Sequence, residues 1–403
     1  MAHVLIVGAG PAGASLAHLL AHRGIQVTLL ERQRDFSREF RGEVLMPSGI
    51  DALEQAGLGE SLASVPSYTL ETGAFYLNGR PLFSVKLDAA SQEDRAPRAV
   101  SQPGLLEMLV AEAAKSPRFR LERGASVKEL MREGGRVVGV RARTEDGEQE
   151  LRADLVVGAD GRGSAVRRRG GLAARNLDTP MDIVWCKLPC PEDWLGARVY
   201  AGRGYLLIGY HTWDDALQIG WVILKSTFGE LRSRGIEQWV EEMANHVSSD
   251  FAAHLRKHAE VARHPFLLST LADCVERWSA PGILVIGDAA HTMSPVGGQG
   301  INIALRDAIV AANHLVPALS EPSLDPGHLD SALRRIEEER MREVAVIQRA
   351  QAQPPKLLLN RAWWGEPVRR ALGALLRRER VRARLGGWAG AFTSGITDVR
   401  LRV

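Results

Sequence analysis

The strongest constraint lies at the amino terminus. A short apolar run, Val4-Leu5-Ile6-Val7, leads straight into Gly8-Ala9-Gly10-Pro11-Ala12-Gly13, and residues 14–20 then read as a helix. A buried strand, a glycine turn and a helix in that order open a βαβ unit of the dinucleotide-binding kind. Gly8 allows the tight turn, Gly10 lets backbone approach a pyrophosphate, and Gly13 permits close helix–strand packing. The helix N-terminus, with Pro11 and Ala12 in its first turn, offers unpaired N–H groups and a partial positive charge to phosphate. A second strand, residues 26–30, ends at Glu31 with Arg32 beside it. A carboxylate there suits a ribose hydroxyl and disfavours a 2′-phosphate, so the site is expected to hold FAD or NAD rather than NADP.

Two later segments repeat the theme. Leu155-Val156-Val157 delivers Gly158-Ala159-Asp160-Gly161-Arg162, and Ile283-Leu284-Val285-Ile286 delivers Gly287-Asp288-Ala289-Ala290-His291. Each is a buried strand with an acid at its carboxyl end, where ligands of open α/β sheets bind. Taken singly, Asp160 reads as a strand-end turn and Asp288 as a helix cap. Together they suggest a flavin held along its whole length. After the third segment come Pro295 and Gly297-Gly298-Gln299-Gly300-Ile301-Asn302, ahead of a helix. Backbone N–H groups at Gly298 and Gly300 can face the pyrimidine end of a flavin, where reduction places negative charge. Pro295 is expected against the ring face near the substrate, so Pro295, Gly298 and Gly300 are the candidate catalytic positions. His291 reads as a packing histidine in preference to a base. Arg167-Arg168-Arg169 reads equally as a phosphate attractor or a solvated charge run. No second GxGxxG exists, so any nicotinamide cofactor must dock transiently.

A chain of 403 residues is too long for one small core. The order of patterns is βαβ, then mostly β, then strand and helix again. This predicts an α/β fold: a Rossmann-like FAD-binding domain interrupted by an antiparallel-sheet substrate domain, with a C-terminal helical tail. The expected FAD-binding parts are 1–70, 98–180 and 275–330, the sheet parts 71–97 and 181–274, and the tail 331–403. A net charge of +3 is too mild to imply nucleic acid. The three cysteines form no metal-site or CxxC spacing, and no 18-residue apolar run appears. A cytoplasmic enzyme is the expectation, with no metal.

In its three motifs, over roughly residues 1–315, the chain resembles the group A flavoprotein monooxygenases, the aromatic hydroxylases of the p-hydroxybenzoate hydroxylase type. The resemblance implies FAD bound by the glycine turn and Glu31, with Asp288 on a ribityl hydroxyl. It implies that Asp160 and Gly161 serve both FAD and the passing NAD(P)H. It implies that Arg41 in RGEVLMPSG and Gln102 in SQPGLLEML touch the FAD, and Gly287, Ile301 and Asn302 join that set. The implied reaction is NAD(P)H- and O2-dependent hydroxylation of an aromatic or lipophilic small molecule through a flavin C4a-hydroperoxide. A non-oxygenating reductase of the geranylgeranyl-reductase type, a flavin-dependent halogenase and a silent flavin-binding protein are the alternatives. The halogenase WxWxIP segment has no match here.

The substrate roof is expected in the strands between residues 197 and 226, whose polar and aromatic residues include Tyr205, His211, Trp213, Gln218 and Trp221. Alternation puts Tyr205 and His211 on one face and Tyr210 on the other, without saying which faces the flavin. In the tail, Val368, Leu372, Leu375 and Leu376 share a helical face flanked by arginines from Arg369 to Arg384, with Trp363 and Trp364 just before. The favoured reading is a helix packed over the flavin domain or a dimer partner. Contact with an anionic membrane surface is the other. Monomer and homodimer both stay open.

Overall fold

The computed structural model describes residues 2–37, 43–87, 95–177, 179–260, 265–270, 272–359, 365–378, 380–381 and 393–403. Its first layer is a six-stranded sheet in the order Ser279–Ala280, Ile283–Val285, Leu155–Gly158, His3–Val7, Gln26–Glu31, Phe119–Arg123. The inner strands pair in parallel, with Val4 opposite both Val27 and Leu155 and Val156 opposite Ile283. Strands buried on both faces need continuous apolar runs, and Val4–Val7, Val27–Leu30, Leu155–Val157 and Ile283–Val285 supply them. Helix Pro11–Ala21 packs against helices Gln102–Ala114 and Gly300–Leu319, and the long helix Pro326–Leu358 packs on Gly300–Leu319. All three carboxyl ends that the glycine motifs follow therefore lie on one edge of a single sheet.

The second layer is a seven-stranded mixed sheet. Its order is Phe266–Leu268, Met181–Pro189, Ala216–Leu224, Tyr205–His211, Ala197–Gly202, Thr72–Leu77, Arg80–Lys86. The Thr72–Lys86 hairpin turns at Asn78 and Gly79, whose φ of 51° and 73° are the two positive values that a tight two-residue hairpin demands. One face of this sheet is covered by helices Ile236–Ala244 and Ser249–Lys257. Val184, Leu207, Ile219 and Trp221 of the strands meet Trp239, Met243, Phe251 and Leu255 of the helices there. Each fully buried Met, Phe or Leu in that seam contributes about 1.5–3 kcal/mol. The other face looks onto the first layer.

Helices Ile236–Ala244 and Ser249–Lys257 are separate, because the extended backbone of Ser248 starts the second (ψ 156°). Strands Phe119–Arg123 and Ser126–Glu133 are likewise divided at Gly124, whose positive φ of 71° turns the chain out of one sheet and into another. The tail helix starts at Pro326 and runs through Pro354-Pro355 to Leu358. The last residues are irregular and return to the first layer, where Asn313 donates to Arg400 O (2.7 Å) and Leu401 N donates to Gln55 Oε1 (2.8 Å). Among the described residues, no helix is long and apolar enough to cross a membrane. Arg41, Trp363, Trp364, Arg382 and Arg384 lie outside the described residues, as do the side chains of Val368, Arg369 and Leu372.

Candidate active site

A cleft of about 3020 Å3 opens between the carboxyl edge of the first sheet and the inner face of the second. Ligand pockets commonly measure about 300–1,000 Å3, so this one has room for an extended cofactor and a substrate together. Gly8, Gly10, Pro11, Ala12, Glu31, Arg32, Gln102, Asp160, Gly161, Asp288, Pro295, Gly298, Gly300 and Ile301 all line it.

The glycines separate into two kinds. A Cβ on Gly8 would sit 2.4 Å from Ala159 O, and one on Gly13 would sit 2.0 Å from Gly8 O. The protein's own backbone forbids side chains there. A Cβ on Gly10 or Gly300 would meet nothing within 4 Å. Both residues stand at the start of long helices, Pro11–Ala21 and Gly300–Leu319, and both face the cleft. The free N–H groups and positive dipole ends of two helices are thus presented bare to the cleft. That is a cradle for an anionic dinucleotide, and it fits FAD. The first turn and the late glycine loop supply the donors. Glu31, buried at the end of its strand, accepts from Ala9 N and Gln33 N (each 2.9 Å).

The two later acids differ. Asp160 takes Ala165 N at 2.6 Å and Val166 N at 3.2 Å, together with the Ser164 hydroxyl, so its carboxylate organises the turn into helix Ala165–Gly170. Asp288 pairs with Arg162 Nε at 3.3 Å across the cleft. Arg167 is tied to Asp273 (3.1 Å), leaving Arg168 and Arg169 on the cleft wall.

Gly13, Gly287 and Asn302 do not line the cleft. They hold the backbone that does. Gly287 N donates to Asp307 Oδ2 at 2.9 Å, and the same oxygen accepts from His291 Nε2 at 2.7 Å. Asp307 Oδ1 accepts from Arg340 Nε at 2.7 Å, and Arg340 also bridges to Glu343, which binds Arg306 at 2.8 Å. Burial pushes both acids up, but His291 and Arg340 outweigh it at Asp307, as Arg340 and Arg306 do at Glu343, and each carboxyl is held at about 2. This ionic cluster anchors the Gly287 turn to two helices, and His291 belongs to it as a packing partner, off the cleft. Asn302 is wholly buried. Its Oδ1 accepts from Met46 N (2.8 Å) and its Nδ2 donates to Gly298 O (2.8 Å). It staples the late glycine loop to strand Val44–Leu45. A Cβ on Gly49 would lie 2.2 Å from Asn302 Oδ1, so that helix position must be glycine.

The second sheet forms the roof of the cleft. Tyr205 and Trp221 lie on the far face, in the seam with the helices, and Tyr205 stacks on His246 at 3.8 Å. His211 stacks on Tyr68 at 3.7 Å, and Trp213 lies under Lys187. None of the five expected substrate residues lines the cleft. The lining comes from the alternate positions: Ile183 and Trp185, Leu206, Ile208 and Tyr210, Ala197 and Val199, and Val222. Successive residues point to opposite faces, and alternation alone left open which face looks into the cleft. Gln218 shares the parity of Val222 and pairs with both Tyr210 and Lys187 in register, but sits just outside the lining, donating to Cys186 O at 3.1 Å.

One lining residue was not anticipated. Glu43 stands where strand Val44–Leu45 begins, is only 7% exposed, and lines the cleft. Burial pushes its carboxyl up to about 7, with Lys187 pulling it down and Asp214 pushing it up. Its Oε2 and the Trp213 indole N–H are both buried without a closed hydrogen bond, although the indole still draws the carboxyl down somewhat. The one sequence signal is an acid set directly before an apolar strand in RGEVLM. Asp307 has a clearer one, as a charge inside the apolar helix INIALRDAIVAA.

Comparison with known proteins gives the same architecture. The model of a family described as FAD binding domain matches residues 1–343. A 6-methylpretetramide 4-monooxygenase of Streptomyces rimosus is 34% identical over 348 residues, covering 86% of this chain and 83% of that protein. Among solved structures, p-nitrophenol 4-monooxygenase PnpA from Pseudomonas putida DLL-E4 superposes with a TM-score of 0.81 at 18% identity, covering 99% of this chain and 100% of that one. PqsL of P. aeruginosa in complex with 2-aminobenzoylacetate gives 0.77 at 23% identity, covering 89% and 97%. At such identities the last two speak for the fold.

Proposed function

The chain belongs to the FAD binding domain family and is a group A FAD-dependent monooxygenase, and from that premise we propose that it hydroxylates an electron-rich aromatic molecule of more than one ring, with O2 and NAD(P)H as co-substrates. The observation that carries this is the cleft itself: two bare helix N-termini on its floor and an apolar roof of Ile183, Trp185, Leu206, Ile208 and Val222 above them. Its volume of about 3020 Å3 leaves ample space for a multi-ring substrate beside the cofactor.

In this reading the Gly8–Gly13 turn and the start of helix Pro11–Ala21 hold the pyrophosphate, Glu31 takes the ribose, and Asp288 takes a ribityl hydroxyl. The N–H groups around Gly298 and Gly300 face the pyrimidine end, and Pro295 lies toward the ring face and the substrate. Bound FAD supplies the redox chemistry, accepting electrons from NAD(P)H and activating O2 for insertion into the ring. The chain's own contribution is positional and electrostatic. The helix N-terminus at Gly300 stabilises negative charge where it develops, without reorganisation. The apolar roof excludes water, which suppresses wasteful loss of the activated oxygen. Arg168 and Arg169 on the cleft wall suit the phosphates of the visiting nicotinamide. Gly373 and Leu376 also line the cleft, giving the C-terminal helix Gly365–Leu376 a place at its mouth beside the Thr72–Lys86 hairpin.

The test is NAD(P)H oxidation under labelled O2 with a panel of one-ring and multi-ring phenols. A product heavier by one labelled oxygen, formed faster from multi-ring members, is the expected result. Failure to label any product while NAD(P)H is consumed would overturn oxygen insertion.

A further inference from the structure

A polar row of the second sheet runs beside the cleft, and Tyr210 is its member in the lining. Lys187, Gln218 and Tyr210 stand side by side on adjacent strands, since Gln218 pairs in register with both of the others. Lys187 is bound to Asp214 at 2.9 Å, so its charge is already matched. Tyr210 lines the cleft, is 5% exposed, and is kept protonated by burial and by the nearby Glu43. Glu43 lines the same cleft close enough to act on this row, and its Oε2 is buried with no hydrogen bond closing on it. Its strand is fixed to the late glycine loop by Asn302, and a Cβ at Gly298 would lie only 3.9 Å from Val44 Cβ. The strand that carries Glu43 is therefore held in place beside that loop.

A buried acid without a cation of its own is costly to keep, and among the described residues no hydrogen bond closes on its Oε2. We propose that Glu43 accepts the proton of a phenolic hydroxyl on the substrate, making it a catalytic base of this monooxygenase. This rests on the hydroxylase reading above. The hydroxyl O–H bond breaks, the proton goes to Glu43, and the electron pair stays on the substrate oxygen. That oxygen feeds density to the ring carbon that takes the oxygen atom derived from O2. The resulting dienone loses its ring proton to water, and Glu43 returns its own proton to the substrate oxygen as the ring regains aromaticity. Glu43 is unchanged over one turnover. The groups acting on it are Lys187, Asp214 and Tyr210 on the roof side, with Trp213 as a weak donor. A carboxyl that titrates near neutrality is suited to such work, because a substantial fraction is ionised at physiological pH and that form is a competent acceptor.

The experiment uses the FAD-loaded protein and 2-naphthol, a two-ring phenol that ionises well above neutrality and whose absorption shifts to the red when it does. At about pH 8, where Glu43 is ionised and the free phenol is not, wild-type protein is expected to bind 2-naphthol with the red-shifted anion band. Glu43→Gln should bind it in the neutral form. Glu43→Asp should recover part of the anion band. With an accepted phenolic substrate, Glu43→Gln should lower kcat by about 10²–10⁴-fold, abolish the acidic limb of the pH profile, and change KM far less. An anion band unaltered in Glu43→Gln, or none in the wild type, overturns the assignment. If 2-naphthol responds to Glu43 while no phenol is oxygenated, the hydroxylase reading fails and the proton acceptor stands.

Discussion

Asp307 and Glu343 behind the Gly287 turn, and Glu43 in the cleft, are all almost wholly removed from water. The first two are held at about 2 and the third is pushed up to about 7. Burial raises all three. The difference is the company: Arg340 and Arg306 close directly on the first pair, whereas among the described residues the cation acting on Glu43, Lys187, is already taken by Asp214. A paired buried carboxylate serves as a joint between elements. An unpaired one at a cavity wall is left with chemistry to do.

The comparison breaks most severely at Arg340. Arg340→Leu leaves Asp307 and Glu343 facing each other's surroundings without their shared cation, and should cost about 3–5 kcal/mol in urea unfolding at neutral pH. A loss no larger than a surface substitution would mean that the cluster is not a joint. Next comes pH. For Asp307 and Glu343 the folded values are depressed, so their stabilisation is present above the ordinary carboxyl range and disappears as pH falls toward 2. For Glu43 the folded value is raised, so its contribution is full below the ordinary range and is lost as pH rises through about 7. Glu43→Gln should therefore be more stable than wild type at pH 8 by up to about 3 kcal/mol and nearly equal to it at pH 4, read from unfolding curves at both. Equal stability at pH 8 would show that the carboxyl is not strained by burial.

A smaller effect is expected at the staple. Asn302→Ala leaves the Met46 N–H and Gly298 O without their partner, at about 1–3 kcal/mol. FAD affinity should fall about tenfold as the loop loosens, measured by equilibrium dialysis of flavin. The smallest concerns the two faces of the roof. Tyr205→Phe should leave the range of accepted substrates unchanged, and Leu206→Ala, one residue on, should widen it. A Tyr205→Phe change in substrate range would reverse the assignment of faces.

The amino-acid sequence alone determined the local devices. Gly8, Gly10 and Gly300, Glu31, Asp288 and the strand runs that deliver them are set by backbone geometry and by neighbours within a few residues, so they are legible in order along the chain. Tertiary structure decided the rest. Alternation says that Tyr205 and Leu206 point opposite ways, but only the helices Ile236–Ala244 and Ser249–Lys257, arriving later in the chain, choose which of them is hidden. Likewise an acid's fate depends on whether a distant chain segment brings it a cation. Arg340 reaches Asp307 from 33 positions away, and among the described residues none closes an ion pair on Glu43. Electrostatic cost in a buried site is set by three-dimensional neighbours, and that information is absent from any window of sequence.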